Sequence, residues 1–324
     1  EFFRAETAET EEEADRWYTD KKNNRRTPDL LPRDEVARAI NAEVKVGRGS
    51  PHGGVFLDIA SRRDADYIKR RLPSMYHQFK ELADVDITKE PMEVGPTCHY
   101  AMGGVRVDAD TAASTVPGLF AAGEVAAGLH GANRLGGNSL SDLLVFGRRA
   151  GLHAAEYAKT FTGTLTADHQ DQAAKIAREC LEPFGRQGAC ENPYAIQQDL
   201  QECMQSLVGI IRNEGELRKA LEEIAALEER AKRVKVEGNR QYNPGWHLTL
   251  DLRSLFTVSA AITRAALERK ESRGGHTRED YQKSDARFGK VNVVIRQRNG
   301  EVSVTQEPLP EMPSELKKLF EEKS

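Results

Sequence analysis

The feature that most constrains this chain is a glycine-rich stretch, residues 96–158, in which short apolar runs alternate with turns. The apolar runs at 105–107 and 118–124 predict two short strands, because each is brief and bounded by turn-forming residues. The segment 128–137 then supplies several glycines ahead of a run with helical spacing. The stretch therefore predicts strands, a glycine-rich loop and a helix in direct succession.

The start of that helix has the properties of a ligand site. Asn138 and Ser139 are predicted to cap it, since their side chains can accept hydrogen bonds from the first backbone N–H groups. Glycines allow close backbone approach, and a helix start carries a partial positive charge, which suits a phosphate or a flavin ring that gains negative charge. Glu124, at the end of a predicted strand, suits ribose hydroxyls. The same pattern is also compatible with a capped helix that binds nothing.

Five blocks of sequence resemble the flavoprotein subunit of succinate dehydrogenase and fumarate reductase. They are PRDEVARAI at 32–40, GRG at 47–49, CHYAMGG at 98–104, PGLFAAGEVAAGLHGANRLGGNSL at 117–140 followed by DLLVFGRRAG, and ESRGGHTRED at 271–280. The blocks occur in the order of the family and span about residues 30–285, so together they are more specific than any one motif. The resemblance implies FAD as the cofactor.

The resemblance also implies an architecture: the C-terminal portion of an α/β flavin-binding domain, an α+β capping domain, a helical bundle and a small C-terminal β-hairpin domain. We expect part of the capping domain in residues 1–95 and the C-terminal part of the FAD-binding domain in 96–157. The helical domain is expected in 158–283, and the hairpin and tail in 284–324. Heptad-like apolar spacing supports the bundle, and an Asn-Gly pair in the last segment is a strong hairpin signal.

Three residues receive substrate roles from the resemblance. Arg33, at a predicted helix start, matches the arginine that donates and accepts the substrate proton. His99 matches a residue that binds a substrate carboxylate, and Arg134 matches the arginine that clamps a dicarboxylate with its planar guanidinium. By residue type alone, an arginine at a helix start is a surface cation and a lone histidine is a structural residue.

The cofactor roles fall on the glycine-rich stretch. The resemblance implies that FAD is bound by Glu124, by His130 beside the flavin, and by Asn138, Ser139 and Leu140 at the helix start. No metal ligands are predicted, because the four cysteines show no CxxC spacing; they fit a reducing compartment.

Composition excludes several functions. The chain has 324 residues, of which 30% are charged and 39% apolar, and a formal net charge of −4, which does not indicate a nucleic-acid binder. No apolar run is long enough to span a bilayer, and the acidic opening does not predict a signal peptide. No GxGxxG fingerprint occurs, although a flavin enzyme of this type needs one to hold the pyrophosphate. We therefore expect the chain to be the C-terminal part of a longer flavoprotein whose dinucleotide-binding part precedes Glu1.

The function that the resemblance implies is oxidation of succinate to fumarate, or the reverse, by hydride transfer with FAD. The resemblance also implies that the electrons pass to a separate iron–sulfur subunit, since no cluster ligands are predicted in this chain. Membrane-anchor subunits would then place the cytoplasmic flavoprotein on the inner face of the cell membrane.

Two alternatives stay open. An L-aspartate oxidase-like enzyme is a close relative without an iron–sulfur partner, but such enzymes often carry ASNSL where this chain has LGGNSL at 135–140. A non-catalytic assembly fragment would use the helical bundle for docking, and the presence of Arg33, His99 and Arg134 argues against it.

Local patterns predict further elements. A helix is expected after Pro32, a strand at 53–59, and a helix over 64–82 that Leu72-Pro73 interrupts. A long helix is expected to run up to Gly274-Gly275. The basic residues that flank its end (Arg273, His276 and Arg278) would complement the helix dipole.

Overall fold

The computed structural model describes residues 33–321, together with residues 10, 12, 13 and 16. The chain divides into two compact units, with the boundary between Ala101 and Met102. Each unit has its own small set of buried apolar side chains. Pro32 lies outside the described residues, and the predicted four-domain division stays a prediction.

The first unit opens with a helix whose charges follow the helix dipole. Helix α1 spans Arg33–Lys45, with Asp34 and Glu35 in its first turn and Lys45 in its last. Arg38 adds an ion pair of 3.0 Å to Asp34, one turn earlier. The helix predicted after Pro32 is therefore confirmed from Arg33 onward.

The rest of this unit is a two-stranded sheet with two short helices. The elements are β1 Val55–Leu57, α2 Ala65–Arg71, α3 Pro73–Ala83 and β2 Met92–Val94. The two strands pair antiparallel, with Val55 opposite Val94. The interruption at Leu72-Pro73 is confirmed, because proline ends α2 but suits the first turn of α3. The core of the unit is formed by Ile68, Ile87 and Met92.

The second unit begins with a segment that contains turns instead of the predicted strands. The strands expected at 105–107 and 118–124 were wrong: the backbone makes isolated bridges, and Gly123–Val125 is a 3-10 turn. The bridges are Val105 with Ala126, Val107 with Ser114, and Ala113 with Phe120. A tight turn at Asp108, whose carboxylate accepts from Thr111 N–H at 2.9 Å, ends the pairing before a ladder can form.

Helix α4, Asn138–Thr160, follows the glycine-rich loop. Its N-cap is Gly137 in the left-handed conformation (φ 82°), with no side-chain capping hydrogen bond. The expectation that Asn138 and Ser139 cap this helix was therefore wrong; they are its first two helical residues. The positive φ of Gly137 starts the helix one residue earlier than the capping pattern implies.

The predicted helical bundle is confirmed. Its helices are α5 Ala167–Gly185, α6 Pro193–Leu207, α7 Glu214–Ala231 and α8 Pro244–Glu268, with β3 Ile211–Arg212 pairing in parallel with β4 Thr277–Arg278. Asparagine side chains cap α6, α7 and α8 in the manner their sequences favour. The core of the bundle contains apolar side chains at helical spacing, among them Ile196, Leu200, Leu217, Ile224, Leu252 and Phe256.

The end of α8 differs from the prediction. The helix stops at Glu268, six residues before Gly274, and an irregular turn follows. The guanidinium of Arg278 donates to the carbonyl oxygens of Ala266 (2.7 Å) and Leu267 (3.3 Å). This side chain satisfies carbonyl groups that a helix end leaves unpaired. Arg278 therefore complements the helix dipole, as expected, through direct hydrogen bonds.

A long hairpin closes the second unit. Strands β5 Val291–Arg298 and β6 Glu301–Pro308 pair antiparallel through the turn at Asn299 (φ 52°) and Gly300 (φ 83°), as the Asn-Gly pair predicted. Helix α9, Ser314–Glu321, follows. In the part of the chain that the structure describes, no helix has the length and apolarity needed to cross a membrane.

Candidate functional site

The candidate site in the second unit is the loop that runs from Glu124 to the first turn of α4. Glu124 lies in the 3-10 turn Gly123–Val125 and is exposed, whereas the neighbouring Gly123 is buried. Gly123 has a φ of 74°, which a residue with a side chain rarely adopts, so this turn depends on glycine. The carboxylate is thus presented at the surface of the segment, where it could accept hydrogen bonds from the hydroxyl groups of a ligand.

The glycines of the loop face open space. A Cβ placed at Gly128, Gly131, Gly136 or Gly137 would meet none of the described atoms within 4 Å. Three of the four have a positive φ: Gly128, Gly131 and Gly137. The loop therefore offers an accessible backbone surface immediately before an N-terminus whose first N–H groups have no side-chain cap.

A contact between a histidine and an acid, which the sequence did not predict, joins this loop to α4. The Nε2 atom of His130 is 3.3 Å from a carboxylate oxygen of Asp142, and both side chains are largely buried. Asp142 belongs to the first turns of α4, on the side of the helix that faces the loop. The sequence contained a signal for this contact, because Asp142 is an acidic residue between the apolar positions Leu140 and Leu143. The pair fixes His130 in place against the helix.

The remaining predicted residues differ in exposure. Arg134 is half-buried, and its Nη1 atom donates to the carbonyl of Leu135 at 3.3 Å. Asn138 is exposed and Ser139 is half-buried. Leu140 is 67% exposed and Leu144 is 76% exposed, so the apolar side of α4 near its start is open. Open apolar surface of this kind is typical of an interaction site.

Two predicted residues belong to the first unit. Arg33 is the first residue of α1, and its side chain lies outside the described residues. His99 is exposed in an irregular stretch after β2. Whether these residues act on one substrate together with Arg134 stays a prediction, because Arg134 belongs to the other unit.

The turn after α8 carries a histidine, His276, whose pKa is strongly lowered. Burial lowers the pKa of His276 to about 4; the hydrogen bond to the Arg269 carbonyl opposes this shift, and the charges of nearby Arg212, Arg278 and Arg269 reinforce it. In the same turn, burial would raise the pKa of Glu271, but hydrogen bonds from Arg273, Asp285 N–H and Arg269 hold it below its usual value. The sequence indicated a basic cluster here but not the buried Glu271.

Two family models match the chain. The fumarate reductase flavoprotein C-terminal model matches residues 197–319, and the FAD binding domain model matches residues 9–140. The FAD binding domain match covers most of the predicted capping part and of the predicted flavin-binding part, and the C-terminal match runs from the helical bundle into the hairpin and tail.

Known proteins show the same relationship. The chain is 40% identical over 253 residues to a CoM/CoB-type fumarate reductase protein of Methanothermobacter marburgensis, a match that covers 78% of this chain and 45% of that protein. It is 39% identical over 281 residues to the succinate dehydrogenase flavoprotein of Coxiella burnetii, covering 83% and 48%. The chain thus spans about half the length of the curated relatives it matches.

Solved structures agree with the sequence matches. The chain superposes on Mycobacterium smegmatis Sdh1 in complex with UQ1 with a TM-score of 0.83 and 56% identity, covering 92% of this chain and 50% of that one. The predicted family and fold class are therefore confirmed. The chain belongs to the family of succinate dehydrogenase and fumarate reductase flavoprotein subunits.

Proposed function

We propose that the protein interconverts succinate and fumarate as an FAD-dependent flavoprotein subunit. The observation that carries this proposal is the loop before α4, in which Arg134 lies four residues ahead of the first helical residue, Asn138, at a helix start without a side-chain cap. A guanidinium suits a dicarboxylate, and the helix start suits an anionic ring or phosphate. The relatives reported above carry these activities in their names.

The residues of the loop fit FAD. The partial positive charge at the start of α4 can stabilise the oxygens of a flavin ring, and the open glycines leave room for a planar ring next to the backbone. The exposed carboxylate of Glu124 can accept from ribose hydroxyls. Asn138, Ser139 and Leu140 are proposed to border the cofactor because they form the first turn of α4. When bound, FAD supplies the hydride acceptor or donor of the reaction.

His130 is proposed to lie beside the cofactor in a fixed orientation. Its contact with the buried Asp142 restrains the imidazole ring, so a hydrogen bond from His130 would have a defined direction. Asp142 is therefore a positioning residue in this proposal. It joins the cofactor residues that the sequence predicted.

The substrate residues are proposed to act in different ways. Arg134 binds a substrate carboxylate with two parallel N–H donors, and His99 donates to a carboxylate. Arg33 is proposed to carry the proton that leaves or enters the substrate carbon, which requires a water-poor surrounding because a guanidinium ordinarily stays protonated.

The proposed partners follow from the family to which the chain belongs. The described residues contain no group of His, Cys, Asp and Glu suited to a metal ion, and we propose that electrons pass to a separate iron–sulfur subunit. The open apolar side of α4 at Leu140 and Leu144 supports packing against a dinucleotide-binding part of the flavoprotein. Attachment to the inner face of the cell membrane would be made by anchor subunits.

The test compares three substrates in the natively expressed protein with bound flavin. We expect succinate oxidation and fumarate reduction with dye acceptors and donors, and no oxidation of L-aspartate. Turnover of L-aspartate alone would favour the oxidase alternative. Partner binding without any turnover would favour a non-catalytic assembly role.

The variant that tests the site is Arg134→Lys. Lysine keeps the positive charge but loses the planar pair of donors, so dicarboxylate turnover should be abolished while the flavin content stays near that of the wild type. Absorbance of the bound flavin gives the control measurement. Near wild-type kcat/KM in this variant would contradict the assignment of Arg134.

A further inference from the structure

We propose that the turn formed by residues 272–276 positions Arg134 for substrate binding by holding the backbone of Ala132. This inference rests on the proposed function, because it takes Arg134 to be a substrate ligand. The turn follows α8 in sequence and belongs to the helical part of the second unit. It would therefore be a positioning element that lies outside the flavin-associated segment.

The contact between the turn and the loop is direct. The N–H group of Gly275 donates to the carbonyl oxygen of Ala132 at 2.9 Å. Gly274 packs so closely that an added Cβ would lie 2.5 Å from that oxygen and 2.9 Å from the Ala132 Cβ. Since real Cβ atoms do not approach backbone oxygen to 2.5 Å, this approach requires glycine at position 274. Ala132 is two residues before Arg134, so its fixed carbonyl constrains the backbone position from which the Arg134 side chain extends.

The turn is held in shape by two backbone hydrogen bonds between Arg273 and His276. Arg273 N–H donates to the His276 carbonyl at 2.8 Å, and His276 N–H donates back to the Arg273 carbonyl at 3.1 Å. The Arg273 guanidinium donates to both oxygens of the fully buried Glu271, each at 2.9 Å. A bidentate pair of this type fixes the orientation of the arginine as well as its distance.

His276 joins the turn to the rest of the helical part. Its Nε2 atom is 2.9 Å from the carbonyl oxygen of Arg269, and Nη1 of Arg212 is 3.1 Å from its Nδ1 atom. A carbonyl only accepts and a guanidinium only donates, so the neutral ring with hydrogen on Nε2 satisfies both contacts. The lowered pKa of His276 agrees with this neutral form. The imidazole thereby ties the turn to the end of α8 and to β3.

The loop needs such a contact because its neighbouring glycines supply little support. Gly131 and Gly136 lie on either side of the segment that carries Arg134, and both face open space. Glycine also leaves the backbone with the greatest conformational freedom. The contact at Ala132 restricts this freedom close to the substrate arginine. A displacement of about 1 Å at such a residue can cost about a hundredfold in rate.

The test uses three alanine variants of the natively expressed, flavin-loaded protein. Gly274→Ala places a Cβ against Ala132, whereas Gly275→Ala keeps its N–H and places a Cβ at an ordinary 3.7 Å from the Ala132 oxygen. Gly300→Ala, in the hairpin turn, introduces an alanine at positive φ with no described atom within 4 Å of its Cβ. The three variants separate steric displacement of the loop from backbone strain alone.

We expect Gly274→Ala to raise the KM for succinate and fumarate and to lower kcat/KM by about tenfold to a hundredfold. Flavin content should be unchanged, and malonate, measured by its perturbation of the flavin absorbance, should bind more weakly by a similar factor. Gly275→Ala should change KM far less, and Gly300→Ala should affect thermal stability only. Equal KM values for Gly274→Ala and Gly275→Ala would overturn the inference.

A second variant decides the matter if Gly274→Ala does not accumulate as folded protein. Arg273→Lys keeps the charge but loses the paired hydrogen bonds to Glu271, so the turn should loosen without a steric clash. A lower melting temperature with an unchanged KM would refute the positioning role. If the wild-type protein neither turns over nor binds dicarboxylates, the proposed function fails, independently of any difference among the variants.

Discussion

Replacement of Glu271 by glutamine tests the buried charges of the turn after α8 most directly. The side chain of Glu271 is fully buried and accepts four hydrogen bonds: one each from Arg269 and Asp285 N–H, and two from Arg273. Glutamine has nearly the same shape but only one acceptor oxygen. The NH₂ group of glutamine would take the place of the second carboxylate oxygen, and as a donor it would face two N–H donors.

The magnitude follows from this geometry. Two of the four hydrogen bonds are lost, and a hydrogen bond to a charged group is worth about 1.5–3 kcal/mol. The partners are not fully buried, since Arg269 is 21% exposed and Arg273 is 34% exposed, so water offsets part of the loss. We therefore expect the free energy of unfolding to fall by about 3 kcal/mol, near the lower limit for breaking a buried ion pair.

Denaturant unfolding followed by tryptophan fluorescence measures this loss, because Trp246 lies on α8 in the same bundle. The matched control is Glu279→Gln, which makes the same chemical change at an exposed carboxylate of the same segment. The control should change the free energy of unfolding by less than about 0.5 kcal/mol. A loss below about 1 kcal/mol for Glu271→Gln would refute the reasoning, since it would mean that water solvates both arginines fully.

Two further predictions concern protons. Because His276 has a folded-state pKa of about 4, below the ordinary value of 6.5, the unfolded chain binds its proton first. The free energy of unfolding should therefore decrease as the pH falls from about 6.5 to about 4, and this slope should be smaller in His276→Gln. For Arg33→Gln we expect kcat to fall by about 10²–10⁴-fold with malonate affinity nearly unchanged. Retention of more than about a tenth of the rate would assign the proton to another group.

Features specified by neighbouring residues were predictable from the sequence. The hairpin at Asn299-Gly300 needs two residues with positive φ, which these types adopt readily, and the break at Leu72-Pro73 follows from the missing N–H of proline. The bundle was predictable because apolar spacing determines which side of each helix is buried. In each case the deciding interaction lies within a few residues along the chain.

Features set by contacts distant in sequence were not predictable in this way. The runs at 105–107 and 118–124 have strand composition, but their pairing is limited to isolated bridges. The contact between His130 and Asp142 depends on how the loop folds back on α4. The same holds for the hydrogen bond from Gly275 to Ala132, which joins residues more than a hundred positions apart.

The acids and arginines after α8 were nevertheless encoded by a local pattern. If α8 continued through this segment, the side chains of Glu271 and Arg273 would be about 200° apart around the helix axis, so the pair would not meet. In an extended chain, residues two apart lie on the same side. Glu271 pairs with Arg273 at this spacing, and Arg278 pairs with Asp280.

The buried Arg278 shows why the extended conformation is more stable here than a continued helix. Its guanidinium donates to both carboxylate oxygens of Asp280 at 2.7 Å, and to the Ala266 carbonyl at the end of α8. If α8 continued, the carbonyl of Ala266 would accept from the helix instead, and Arg278 would lose a partner that its burial requires. The end of the helix at Glu268 and the burial of Arg278 therefore depend on each other, because the arginine pairs with an acid two residues on and reaches back twelve residues to the Ala266 carbonyl at the helix end.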